Sequence, residues 1–188
     1  MSGAQPPREP SRRLFFALWP DQAARAALAD AASQAVIASP ARAVPAENLH
    51  ATLAFLGSVS EGRVADLDDV ARRVAGSFVP ESPLLLRFDE FAYWVGPKIL
   101  VALSAAESPV AQALAQRLKS DAQAAGFTPD LKPFHAHVTL ARKVGCAPAV
   151  NMARTVRWNF DAFALVESRA AAHGSAYSVM QSYLLVKR

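Results

Sequence analysis

Two stretches of this chain carry the same reactive groups at the same spacing. HATLAF (His50 to Phe55) and HVTLAR (His137 to Arg142) both read His-x-Thr-Leu-Ala. The chain holds only four His and four Thr among its 188 residues, so chance explains the repeat poorly. An imidazole titrates near neutrality, so one copy can accept a proton while the other supplies one. A threonine hydroxyl can hold an anion's oxygen without adding a permanent charge. Phosphodiester cleavage calls for this combination: a proton taken from the attacking group, a proton given to the leaving oxygen, and donors around the non-bridging oxygens. His50 and His137 are the candidate acid and base, Thr52 and Thr139 the candidate phosphate holders, and the scheme requires no metal and no cofactor.

Such a site exists only if the fold brings the two copies together. Residues two apart on a strand point the same way, so His50 and Thr52 share one face, His137 and Thr139 another, and Leu53 and Leu140 point oppositely into packing. Two strands related by approximate two-fold symmetry then place both pairs in one cleft. The pattern around them supports this. RLFFALW (Arg13 to Trp19) is a buried strand ended by Pro20, and Asp21 opens an Ala-rich helix to about Ala38. Leu49 to Leu56 is a strand that Gly57 stops, and Ser60 caps a second helix through Val74. Leu84 to Tyr93 and Ile99 to Leu103 form a hairpin turning at Gly96 and Pro97. A third helix starts at Ser108-Pro109 and stops before Gly126. The second motif strand follows, then strands over Trp158 to Ser168 and Tyr177 to Val186, separated by AAAHGSA. The order implies an α+β fold of two similar halves, each contributing one motif strand.

Composition narrows the class. With 52% apolar and 19% charged residues the chain folds rather than staying disordered. Residues 1–11 (MSGAQPPREPS) read as a disordered tail without an apolar signal core, and 12–188 as one domain. No apolar run reaches the length of a membrane span. The net charge of +4 suits anionic partners, with Arg12, Arg13, Lys132 and Lys143 as a possible rim for an RNA backbone. A single cysteine, Cys146, permits no internal disulfide and reads as a bystander in a reducing cytoplasm. His135 and His137 form an HxH pair, yet a metal site would need further ligands that the first motif lacks, which leaves His135 a supporting role. His173 reads as exposed, and Trp19, Trp94 and Trp158 as packing.

LHATLAFLG, FHAHVTLARK, the N-terminal RLFFALWP and the C-terminal GSAYSVMQSYLL closely resemble the 2H phosphoesterase superfamily, and within it the RNA 2',3'-cyclic phosphodiesterases, also called 2'-5' RNA ligases. The resemblance implies a bilobal fold with two antiparallel sheets lining a central groove and helices outside. It implies hydrolysis of RNA 2',3'-cyclic phosphate ends to a 2'-phosphate, with a slow, reversible 2'-5' ligation. It further implies that His50 protonates the departing 3' oxygen, that His137 activates water, and that Phe55 and Arg142 sandwich the terminal base. The chain departs from the family where Pro often precedes the second motif His, having Ala136 there. The expected partner is an RNA or oligonucleotide end, met by a monomer. Alternatives are a cyclic phosphodiesterase acting on ADP-ribose 1'',2''-cyclic phosphate or small cyclic nucleotides, and a non-catalytic RNA-end binding module.

Overall fold

The computed structural model describes residues 9–171 and 174–186; residues 1–8 of the expected tail and His173 lie outside them. The first strand, β1 (Ser11–Leu18), is apolar on both faces because both are covered. Leu14, Phe16 and Leu18 enter the main core. Phe15 and Ala17 point the other way, against Ala164 and Val166, with Trp19, Phe55 and Tyr177 packed around them. Helix α1 (Gln22–Ile37) follows, and the Asp21 carboxylate accepts the Ala24 N–H at 2.7 Å, a cap worth about 1 kcal/mol.

A two-residue strand, β2 (Arg42–Ala43), escaped the sequence reading, being too short to show a period. It precedes the first motif strand, β3 (Ala51–Ser60). Gly57 does not end β3. It sits at φ +70° where the β1 pairing slips by one residue, a bulge that a residue without Cβ accommodates, and the strand runs on to Ser60. Ser60 makes no side-chain cap; a 3-10 turn over Glu61–Arg63 leads into α2 (Val64–Ser77) instead.

The expected AAAHGSA turn is mostly strand, which continues to Ala171 and resumes at Gly174, and two other expected strands divide. Leu84 to Tyr93 and Trp158 to Ser168 each divide at an aspartate. The first gives β4 (Leu84–Phe88) and β5 (Glu90–Trp94); the second gives β8 (Val156–Phe160) and β9 (Ala162–Ala171). Asp89 accepts the Ala105 N–H at 2.9 Å, and the Asp161 carbonyl accepts the Leu185 N–H at 2.8 Å. Each break frees one short strand, and β4 pairs with β8. The hairpin of β5 with β6 (Ile99–Leu103) and the third helix, α3 (Pro109–Ala124), form as expected. The second motif strand is β7 (His137–Arg142) and the last is β10 (Gly174–Leu184).

Two four-stranded antiparallel sheets result, ordered β10-β9-β1-β3 and β2-β7-β6-β5. Helices α2 and α3 pack on each other and on the first sheet, while α1 packs on β7 and β8. The α+β, two-lobed architecture is therefore present, with one motif strand in each large sheet. The lobes are not successive halves of the chain, because β9 and β10 return to pair beside β1.

Candidate active site

Strict alternation on β3 would put Thr52 and Phe55, three apart, on opposite faces. A second slip in the β1 pairing changes this: Thr52 stands opposite Ala17 and Phe55 opposite Phe15, two residues apart on β1. Leu53 and Ala54 are both buried as a consequence. The same device recurs on β7, where Thr139 faces Val101 and Arg142 faces Ile99, the slip falling at Leu140, with Leu140 and Ala141 both buried. The repeated Leu-Ala therefore marks a bulge in each lobe that turns the next residue, Phe55 or Arg142, to the face of its threonine.

The two imidazoles are held alike. His50 Nδ1 lies 2.7 Å from the Asn48 carbonyl, and His137 Nδ1 lies 2.8 Å from the His135 carbonyl. A carbonyl only accepts, so each Nδ1 carries the hydrogen and each Nε2 is left for proton exchange. An indole backs each ring. Trp19 stacks on His50 at 5.2 Å with 17° between planes, and Trp94 lies 4.7 Å from His137, tilted by 49°. Phe15 and Tyr177 close on His50 at 5.0 Å each.

Both motifs line one cavity of about 290 Å³: His50, Thr52 and Phe55 from one lobe, His137, Thr139 and Arg142 from the other. Three arginines, Arg13, Arg42 and Arg142, face it and no carboxylate does. None of the three forms an ion pair among the described residues. Burial of the ring pushes His50 down to about 4; the Asn48 carbonyl opposes this, and the charges of Arg142 and His137 reinforce it. His137 is lowered too, first by burial and also by His135, against the pull of the His135 carbonyl. The cavity thus disfavours positive rings and presents guanidinium charge with no carboxylate facing it, a combination that an anion relieves on both counts.

Several residues here were not singled out from sequence as site residues. Arg42 belongs to the two-residue strand. Tyr177 accepts a hydrogen bond from Arg142 at 3.4 Å, and Arg13 lies over the Phe55 ring at 4.8 Å. Trp19, read as packing, packs on the Phe15 cluster and also stacks on His50, and Trp94, read likewise, lies beside His137; Trp158 is buried, its indole N–H donating to the Ala24 carbonyl. Arg13, Phe15 and Ala17 share one face of β1 by period 2, but Phe15 and Ala17 are buried and apolar, so that face carried no polar signal in the sequence. Among the proposed rim residues, Arg12 is bound to Glu61 and Glu167, and Lys132 lies 3.9 Å from Asp130. Exposed His135 stands at the mouth of a neighbouring hollow that shares Thr52, His137 and Thr139 with the cavity. Cys146 is exposed. Among the described residues no three of His, Cys, Asp and Glu are grouped to hold a metal, and no helix is long and apolar enough to cross a membrane.

Comparison with known proteins shows the family of the chain and the likeness of its fold. The model of the 2'-5' RNA ligase superfamily matches residues 19–172. An RNA 2',3'-cyclic phosphodiesterase of Thermus thermophilus is 30% identical over 183 residues, covering 92% of this chain and 90% of that protein. One from Escherichia coli K12 is 35% identical over 102 residues, about half of each chain (54% of both). The crystal structure of E. coli LigT complexed with 3'-AMP superposes with a TM-score of 0.81 at 26% identity, covering 94% of this chain and 99% of that one.

Proposed function

Because the chain belongs to the 2'-5' RNA ligase superfamily, we propose that it hydrolyses RNA 2',3'-cyclic phosphate ends to 2'-phosphates by a two-histidine mechanism that needs no metal. A relative matching 92% of the chain is named RNA 2',3'-cyclic phosphodiesterase, and this chain is an enzyme of that kind. One observation carries the finer reading: both His-x-Thr pairs line a single cavity with three arginines and no carboxylate.

The cyclic phosphate sits between the motifs, with Thr52 and Thr139 donating to its non-bridging oxygens. His137 Nε2 removes a proton from water as the water oxygen bonds to phosphorus. The P–O3' bond breaks, His50 Nε2 delivers its proton to O3', and a 2'-phosphate with a free 3'-hydroxyl leaves. Arg142 offsets the charge gathering on phosphorus, and its guanidinium plane and the Phe55 ring hold the terminal base. Run in the same direction with an RNA 5'-hydroxyl in place of water, the same groups give 2'-5' ligation: His137 takes the 5'-hydroxyl proton as O5' bonds to phosphorus, the P–O3' bond breaks, and His50 protonates O3'. The enzyme acts, on this reading, as a cytoplasmic monomer whose catalytic domain spans residues 12–188, preceded by a tail.

The test uses an oligonucleotide ending in a 2',3'-cyclic phosphate, incubated in EDTA. The 2'-phosphate product is expected, and His50→Ala or His137→Ala each lowers turnover by roughly 10²- to 10⁴-fold, the usual worth of a general acid or base. A 3'-phosphate product, or near-normal turnover by either variant, overturns the mechanism.

A further inference from the structure

A second hollow, of about 510 Å³, adjoins the catalytic cavity and shares Arg42 and Arg142 with it. Its other lining residues include Lys98 and Lys143, and no carboxylate faces it. We propose that this hollow binds the phosphate on the 5' side of the reacting nucleotide, which makes an RNA strand, rather than a lone cyclic nucleotide, the preferred substrate. The inference rests on the cyclic-phosphodiesterase reading above and narrows its substrate.

Three observations support it. First, the cations are uncompensated: none of Arg42, Lys98, Arg142 and Lys143 forms an ion pair among the described residues. Four like charges around one hollow repel each other, and a polyanion removes that repulsion. Second, the two lysines sit on strained backbone. Lys98 and Lys143, at φ 52° and 55°, are the described residues other than glycine with positive φ, a conformation that costs about 1–2 kcal/mol for a residue bearing a Cβ. Such outliers gather where a site depends on them. They are also fixed rather than loose: Lys98 closes the β5–β6 turn by bonding to the Val95 carbonyl, and its own carbonyl accepts the Val144 N–H at 2.9 Å, which ties the two lysine turns together. Third, the row is continuous with the active site. Arg42 stands opposite Arg142 and Arg142 opposite Ile99, on three adjacent strands. The catalytic cavity and this hollow are both lined by Arg42 and Arg142, so a nucleotide in the first can direct its 5' phosphate toward the second. Arg142 bridges them.

The experiment compares three substrates: a nucleoside 2',3'-cyclic phosphate with a 5'-hydroxyl, the same nucleotide with a 5'-phosphate, and a short RNA ending in the cyclic phosphate. The variant is Lys98→Gly with Lys143→Gly, which removes both charges and suits the left-handed backbone, so the fold is retained. Wild type is expected to prefer the 5'-phosphorylated nucleotide and the RNA over the 5'-hydroxyl nucleotide in kcat/KM. The double variant should lose roughly 10-fold on the RNA, with the salt dependence of log kcat/KM flattened by about 0.7, the value for one phosphate of a single strand. The 5'-hydroxyl nucleotide should be turned over as before. Unchanged RNA turnover, or an equal fall on all three substrates, overturns the proposal. If wild type hydrolyses none of them, the catalytic reading fails; the hollow is then judged by the variant's binding to a 2'-phosphate-ended RNA, where an unaltered salt slope overturns it.

Discussion

Protonation of His50 gives the sharpest test of how this site works. Its ring falls from an ordinary 6.5 to about 4, and a drop of about 2.5 units corresponds to about 3 kcal/mol against the imidazolium. At pH 7 about one molecule in a thousand then carries the proton that the proposed acid must deliver. For His50 to be half protonated at pH 7, a ligand must add roughly 4 kcal/mol in favour of the charged ring. One phosphate charge 4 Å away supplies about that much at an effective dielectric of 20. The substrate thus loads its own acid. NMR titration of the imidazole Cε1–H signals checks it: His50 should titrate at about 4 in the free protein and near 7 with a nucleoside 2'-phosphate bound. In kinetics, kcat/KM, which reports the free enzyme, should peak below pH 6.5, while kcat peaks at higher pH. A free-protein midpoint of 6 or above, or no rise on binding the anion, refutes the reasoning. Stability follows with a definite sign. Here a base is depressed on folding, so the folded state binds the proton less readily than the unfolded one, and stability falls as pH drops from 6.5 toward 4. The loss is at most about 3 kcal/mol, reduced by the ring's residual exposure.

Three further perturbations separate the parts of the site. Phe55→Ala removes a ring on which a base can stack, worth about 1–3 kcal/mol; KM should rise roughly 5- to 150-fold with kcat little changed, and a fall in kcat alone would contradict the role. Trp94→Leu takes an aromatic face from beside His137 and should lower that imidazole further, by up to about 1 unit, since a ring face favours a neighbouring cation by about 1 kcal/mol; an unmoved titration of His137 rules the contact out as a source of tuning. Gly57→Ala meets only the edge of the Phe55 ring, at 3.9 Å, so its cost is the backbone alone, about 1–2 kcal/mol at φ +70°. Thermal unfolding should show a drop of a few degrees, and no change would mean that the bulge relaxes freely.

The sequence exposed the reactive groups more clearly than the frame that holds them. His50, Thr52, His137 and Thr139 were legible because rare residues recur at a fixed offset, and pleating carries that offset directly into a shared face. The long apolar run of β1 and the caps of α1 and α3 were legible for equally local reasons. What could not be read were events set by distant partners. Aspartate is disfavoured in strands, but that Asp89 and Asp161 break Leu84 to Tyr93 and Trp158 to Ser168 depends on distant donors, the Ala105 N–H to the Asp89 carboxylate and the Leu185 N–H to the Asp161 carbonyl. Arg42 lies in a strand of two residues that exists only because β7 offers it an edge.

Phe55 and Arg142 are the instructive middle case. Period-2 reasoning sends both into the core, and a family resemblance was needed to turn them toward the ligand. The physical reason lies in the motif itself: two consecutive small-to-medium apolar residues, Leu-Ala, cannot alternate between a core face and a polar cleft, so one must be absorbed by a bulge. Both copies bury both residues, and both pairings slip there. The repeat thus encodes a backbone irregularity as well as a pair of side chains. Two lobes that share four identical residues within the six-residue motif consequently present imidazole, hydroxyl and a flat side chain in the same order to one cavity. Symmetry at the site needs only those positions, which leaves the lobes free to differ around it. The arginine that stands in the second copy where the first has phenylalanine is where that freedom brings positive charge to the cavity.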